Sequence, residues 1–99
     1  MVLVDEQVGV VGEMFASGIR ILRQAKVVGK ATTGDQEVVQ IESLSDGSQL
    51  IIPISIYYLP DGSTPYGRGL QPDQVVDELW WNYSEAEDPQ ILAALTLLK

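Results

Sequence analysis

The chain has 99 residues, 45% of them hydrophobic, which suits a single domain, residues 1–99, with one modest core. Six basic against fourteen acidic residues leave a formal charge of −8, and that balance argues against nucleic acid or an anionic membrane surface as partner, since both need clustered Lys and Arg. With neither cysteine nor histidine, a disulfide framework, thiolate or imidazole metal sites and histidine-based catalysis are excluded.

Val2 to Val4 is a short β-branched and aliphatic run that reads as a buried strand, closed by Asp5-Glu6-Gln7. From Gly9 or Val10 to about Gln24 the apolar positions Val10, Val11, Met14, Phe15, Ile21 and Leu22 fall at helical spacing. Glu13 near the start and Arg20 and Arg23 near the end suit the helix dipole. Gly12 and Gly18 each weaken the helix by about 1 kcal/mol relative to Ala, which predicts close packing of that helix against a sheet. Lys26 to Gly29 reads as a second strand, so a strand–helix–strand unit with parallel pairing is expected.

Thr32 to Gln36 is a loop by composition. Glu37 to Leu44 and Gln49 to Leu59 are two β runs joined at Ser45-Asp46-Gly47-Ser48, and Asp-Gly there signals a hairpin. The second run is apolar on both faces, too much so for a solvated edge, and Pro53 interrupts one side of its ladder. Pro60 to Asp73, with three prolines and several glycines, is a loop of fixed turns. A short strand around Val75-Val76 follows. Trp80-Trp81, if extended, would turn its rings to opposite faces, and packing of both in the core is the expectation. The closing helix has Asp88 as N-cap, Pro89 at its first position, and Ile91, Leu92, Leu95 and Leu98 at helical spacing. No apolar run reaches the roughly 20 residues of a membrane span. Met1 to Val4 is too short and lacks the basic flank of a signal peptide.

Several of these segments stand in a known order. Ser45-Asp46-Gly47-Ser48 leads into Tyr57-Tyr58-Leu59-Pro60-Asp61-Gly62, then Gly67-Arg68-Gly69-Leu70-Gln71-Pro72-Asp73, and upstream lie Val4-Asp5-Glu6 to Glu13-Met14-Phe15, Lys26-Val27-Val28-Gly29 and Thr32-Thr33-Gly34. Together they resemble the C-terminal processing (tail-specific) serine peptidases, over nearly the whole chain and most specifically in its middle. The resemblance implies an α/β fold of the ClpP/crotonase-like class, here the C-terminal half of a catalytic domain. It also implies a peptide or protein partner and a cell-envelope or extracytoplasmic setting. No cofactor and no metal is implied.

The family's nucleophilic serine stands three residues before the glutamate, which is Val10 here. A helix entrance suits it, because free N–H groups and the dipole hold negative charge near the attacking oxygen. The family's general base, a lysine in the loop after the second strand, falls on Asp35, and an aspartate frequent in the intervening helix falls on Ile21. Neither valine nor aspartate can form the serine–lysine dyad, so the resemblance implies a peptidase scaffold without its mechanism. The alternative is a fragment of an active peptidase whose catalytic groups lie elsewhere. Ser17, with Lys26 or Lys30, is a conceivable substitute, but it lies two helical turns beyond the nucleophile position and reads as a surface residue.

Weaker patterns have plainer readings. Asp61, Asp73 and Asp77 lack calcium-loop spacing and suit turns and caps. Glu6, Glu13 and Asp35 could form a carboxylate pair, though nothing in the sequence fixes their separation. Asn82-Tyr83-Ser84 is a glycosylation triplet short enough to arise by chance. Finally, strands starting midway through a domain leave sheet edges uncovered, and the expectation is a homo-oligomer formed by edge pairing or element exchange.

Overall fold

The structure, a computed structural model, describes residues 1–35 and 37–99. Its strands are β1 (Val2–Val4), β2 (Val27–Gly29), β3 (Glu37–Ser43), β4 (Gln49–Ile56) and β5 (Gln74–Val75). The helices are α1 (Val10–Arg23) and α2 (Pro89–Leu98), with single 3-10 turns at Trp80–Asn82 and Glu85–Glu87. β1, β2 and β5 form a parallel sheet in that order, with Val2 opposite Val27 and Val28 opposite Gln74. The mixed α/β architecture is the one expected, and β1–α1–β2 is a strand–helix–strand unit with parallel strands.

The core is small and sits where α1 meets this sheet. Val4, Val27, Ala16 and Leu70 cluster there, with Val2 and Val8 packed against them. Val28, pointing to the other face by strand alternation, is equally buried. α2 lies against β1 and β2. It starts as its sequence requires: Oδ1 of Asp88 accepts from the N–H groups of Gln90 and Ile91 at 2.8 and 3.3 Å, and Pro89 fills the first turn.

The hairpin differs from expectation in its surroundings. β3 and β4 pair antiparallel as a separate two-stranded sheet, and β4 is exposed along almost its whole length. Ile41 and Ile51, directly opposite each other, are 57% and 62% exposed. Apolar composition on both faces had argued for burial, but no other element of the described chain covers either face. The register slips between Val38 and Val39, where Val38 faces Ser55 and Val39 faces Pro53. The proline that cannot donate to the ladder sits at that bulge. The hairpin stretches the molecule to 58 Å by 33 Å by 16 Å, with a radius of gyration of 16.7 Å, where a compact chain of this length would have about 13 Å.

Three local expectations are also corrected. Trp80 and Trp81 lie in a 3-10 turn rather than an extended segment, and neither is core. Their rings instead pack edge to face at 5.7 Å, and Nε1 of Trp80 donates to Asp5 at 2.9 Å. This is the geometry that a ring quadrupole favours. Gly18 has open space beside it, and Gly12 is crowded by Val8 rather than by a sheet. Ser17 is buried, not on the helix surface, because it faces the 59–71 loop rather than solvent.

Candidate functional site

The helix entrance and the loop after β2 are held together by one carboxylate. Glu13, in the first turn of α1, is fully buried. It accepts from the hydroxyl of Thr32, from the Gly34 N–H at 2.6 Å and from the Thr33 hydroxyl at 3.5 Å. The Thr33 N–H and hydroxyl both reach the Val8 carbonyl at 3.2 Å. The segment entering α1 and the 32–34 loop are thereby fixed against each other at three points. In the sequence Glu13 reads as a dipole partner, a motif residue and a member of a possible carboxylate pair; its burial follows from the Thr-Thr-Gly loop folding back over it.

The third strut of this corner is the Gly67-Arg68-Gly69-Leu70 segment. The Leu70 N–H donates to the Thr32 hydroxyl at 2.7 Å while the Thr32 N–H donates to the Leu70 carbonyl at 3.3 Å, and the Gly67 N–H donates to the Gly34 carbonyl at 2.9 Å. Gly69 adopts φ +75°, and a β-carbon there would lie 2.0 Å from the Thr32 carbonyl oxygen. Only glycine allows that approach. Gly34 and Gly69, two glycines of the resemblance, are thus points where backbone meets backbone.

The expected site positions distribute as follows. Val10 is the first residue of α1, half-buried, behind an N-cap glycine that offers no side chain to the helix. Asp35 follows Gly34 in the loop, exposed, its N–H 3.5 Å from the Thr33 hydroxyl. Ile21 lies towards the end of α1, half-buried beside a cavity. The chain segments bearing Val10 and Asp35 are the two that Glu13 and Val8 tie together. Lys30 pairs with Glu6 at 3.6 Å, which occupies both in a surface ion pair. Asp61 plays a turn role: its Oδ1 accepts from the hydroxyl and N–H of Ser63, and that hydroxyl is the chief reason its carboxyl is held below the usual range.

Asp73 closes the Leu70-Gln71-Pro72-Asp73 motif onto the α1 and β2 elements. Its Oδ1 meets the Arg20 guanidinium at 2.6 Å and its Oδ2 accepts from the Val27 N–H at 2.8 Å, while Arg20 also donates to the Gln71 carbonyl at 2.8 Å. Desolvation pulls the Asp73 pKa upward, but the Val27 N–H, Arg20 and Lys26 outweigh it and leave the carboxyl below its ordinary value. A depressed carboxyl contributes stability that is present above the unfolded value, near pH 4, and is lost as pH falls through the folded one. Asp73→Asn is therefore expected to lower stability by about 1 kcal/mol at pH 7. Urea titrations should show that gap closing below about pH 4; a gap that persists in acid would contradict this account.

A parallel sheet with a helix entrance tied to a glycine loop is an α/β arrangement. Residues 1–76 match the model of Peptidase family S41, and the chain belongs to that family. It is 29% identical over 101 residues to a carboxyl-terminal-processing protease of a Synechocystis species, an alignment covering 99% of this chain and 24% of that one. The photosystem II D1 C-terminal processing protease structure superposes with a TM-score of 0.68 at 26% identity, over 77% of this chain and 20% of that one. The tricorn protease superposes with a TM-score of 0.76 at 25% identity, over 98% of this chain and 10% of that one. The chain thus spans about a quarter or less of the length of these relatives.

Proposed function

We propose that this chain is a peptidase-family domain without catalysis, whose role is to bind peptide or protein or to assemble. The observation that carries the reading is the pair of substitutions: a valine and an aspartate stand where the family resemblance puts the serine and the lysine. Valine offers no nucleophilic atom, so an aspartate at the base position has no hydroxyl proton to take. The surrounding corner, with Glu13, Thr32 and the glycine loop, is retained. Incubation with unfolded peptides ending in apolar residues is expected to yield no cleavage, followed by mass spectrometry. Turnover that survives Val10→Ala would overturn the reading.

Assembly is supported by the hairpin. A two-stranded sheet leaves an unpaired edge on each strand, and both of its faces carry exposed apolar side chains, so pairing with a second copy is the association that its geometry favours. Sedimentation at micromolar concentration would then show a dimer or larger species, and a strict monomer would remove the self-assembly role. A second reading, a fragment of an active peptidase, is favoured by the names of the relatives and by the small share of their length that this chain spans. On that reading the catalytic groups come from another segment.

A further inference from the structure

α1 turns its middle residues towards a cleft closed by the 59–71 loop, away from the Val10 entrance. Two adjoining cavities of about 240 and 190 Å³ open there and share Arg20, Leu59, Ser63 and Leu70 as walls. The smaller is bounded by Ser17, Ile21 and Asp61, and the larger extends past Pro65 to Arg68. Pockets for drug-sized ligands run to about 300–1,000 Å³, so each suits a small molecule.

Two polar side chains in this cleft, the buried Ser17 and the exposed Arg68, have no protein partner among the described residues. Ser17 is 1% exposed, yet its hydroxyl has no hydrogen-bond partner among the described residues. Buried hydroxyls are ordinarily paired, and an orphaned one is unfavourable. Arg68 forms no ion pair among the described residues, although the chain carries an excess of acids. Arg20, by contrast, pairs with Asp73 and donates to the Gln71 carbonyl. The walls between the two groups, Leu59, Leu70 and Ile21, are apolar.

We propose that this cleft binds a small aliphatic carboxylate bearing a neutral polar group at its far end. The Arg68 guanidinium takes the carboxylate through paired N–H donors. The hydrocarbon lies along Leu59, Leu70 and Ile21, and the Ser17 hydroxyl meets the terminal group. Asp61, already accepting from Ser63, sets the polarity of that end: it disfavours a second carboxylate and tolerates a hydroxyl. The site is independent of whether the chain ever cleaves a peptide.

The test is an amide chemical-shift titration with ω-hydroxyhexanoate. Saturable shifts are expected at Ser17, Leu59 and Leu70. Binding should weaken about tenfold for the corresponding amide and for Arg68→Gln, which changes an exposed side chain and leaves the fold intact. Ser17→Ala should weaken ω-hydroxyhexanoate about fivefold while leaving hexanoate unchanged, and adipate should bind worse than either. Absence of saturation, shifts centred elsewhere, or equal affinity for the acid and its amide would overturn the proposal. So would Arg68→Gln binding as well as the parent.

Discussion

Gly29→Ala is expected to unfold the domain, whereas Gly47→Ala is expected to lower its stability by only about 1 kcal/mol. Both glycines have positive φ, +128° and +87°, so both substitutions carry a backbone penalty. They differ in what a β-carbon would meet. At Gly47, the tip of the hairpin, nothing lies within 4 Å. At Gly29 the Val4 carbonyl oxygen would be 1.9 Å away and the Val4 carbonyl carbon 3.1 Å away. That oxygen cannot retreat, because it accepts from the Lys30 N–H at 3.0 Å, and Val4 pairs with Gly29 in the β1–β2 ladder. Gly29 itself is held from the other side, its carbonyl accepting from the Val76 N–H at 2.9 Å. Relief of the clash would separate β1 from β2 and β2 from the residue that follows β5, which is the whole parallel sheet. A penalty above about 4 kcal/mol is comparable to the total stability of a domain this small. Urea midpoints by circular dichroism measure both variants, and a Gly29→Ala midpoint equal to that of Gly47→Ala would refute the argument.

What the sequence disclosed was the local grammar. The periodicity of 10–23 marked α1, Asp88-Pro89 marked the start of α2, and Asp46-Gly47 marked the hairpin, because each depends on a few neighbouring residues. The family resemblance supplied the order of the motifs and the α/β class. Burial was less legible, since it depends on partners distant in the chain. β4 reads as a core strand by composition and lies exposed, because nothing in the described chain reaches over it. Ser17 reads as a surface helix residue and is buried, because the 59–71 loop returns to cover it. The Trp pair reads as core packing, and a 3-10 turn lets the two half-exposed rings pack on each other instead.

The candidate site shows the same division. Val10 and Asp35 could be assigned from sequence only through resemblance, and no composition rule singles out either. Glu13 was visible as an acid in a first turn, but its partners lie about twenty residues away. One signal was present: an acidic residue three positions after the helix entrance, with Thr-Thr-Gly downstream, each element belonging to a motif of the resemblance. Motif residues with no chemistry of their own often hold a backbone in place, and here they do so around a carboxylate.

Glu13→Ala is expected to lower stability by about 3 kcal/mol or more, and Glu13→Gln by about 1 kcal/mol. Alanine removes the acceptor for the buried Gly34 N–H and for the Thr32 hydroxyl and leaves a void as well. Glutamine keeps an oxygen acceptor for these two donors and loses the charge assistance. The Thr32 hydroxyl makes the effect cooperative, because it donates to Glu13 while accepting from the Leu70 N–H. A cycle of Glu13→Gln with Thr32→Val should therefore give a coupling of about 1 kcal/mol or more, and strict additivity would mean the two act separately. Hydrogen exchange supplies a readout that general destabilisation does not move alone. Protection of the Gly34 amide should fall in Glu13→Gln relative to the Val28 amide inside the sheet, and uniform loss across both would sink the local account. If the corner loosens selectively, Glu13 is the residue that fixes the helix entrance against the 32–35 loop. Such a hold sets the segment bearing Val10 against the loop bearing Asp35, whatever side chains those two positions carry.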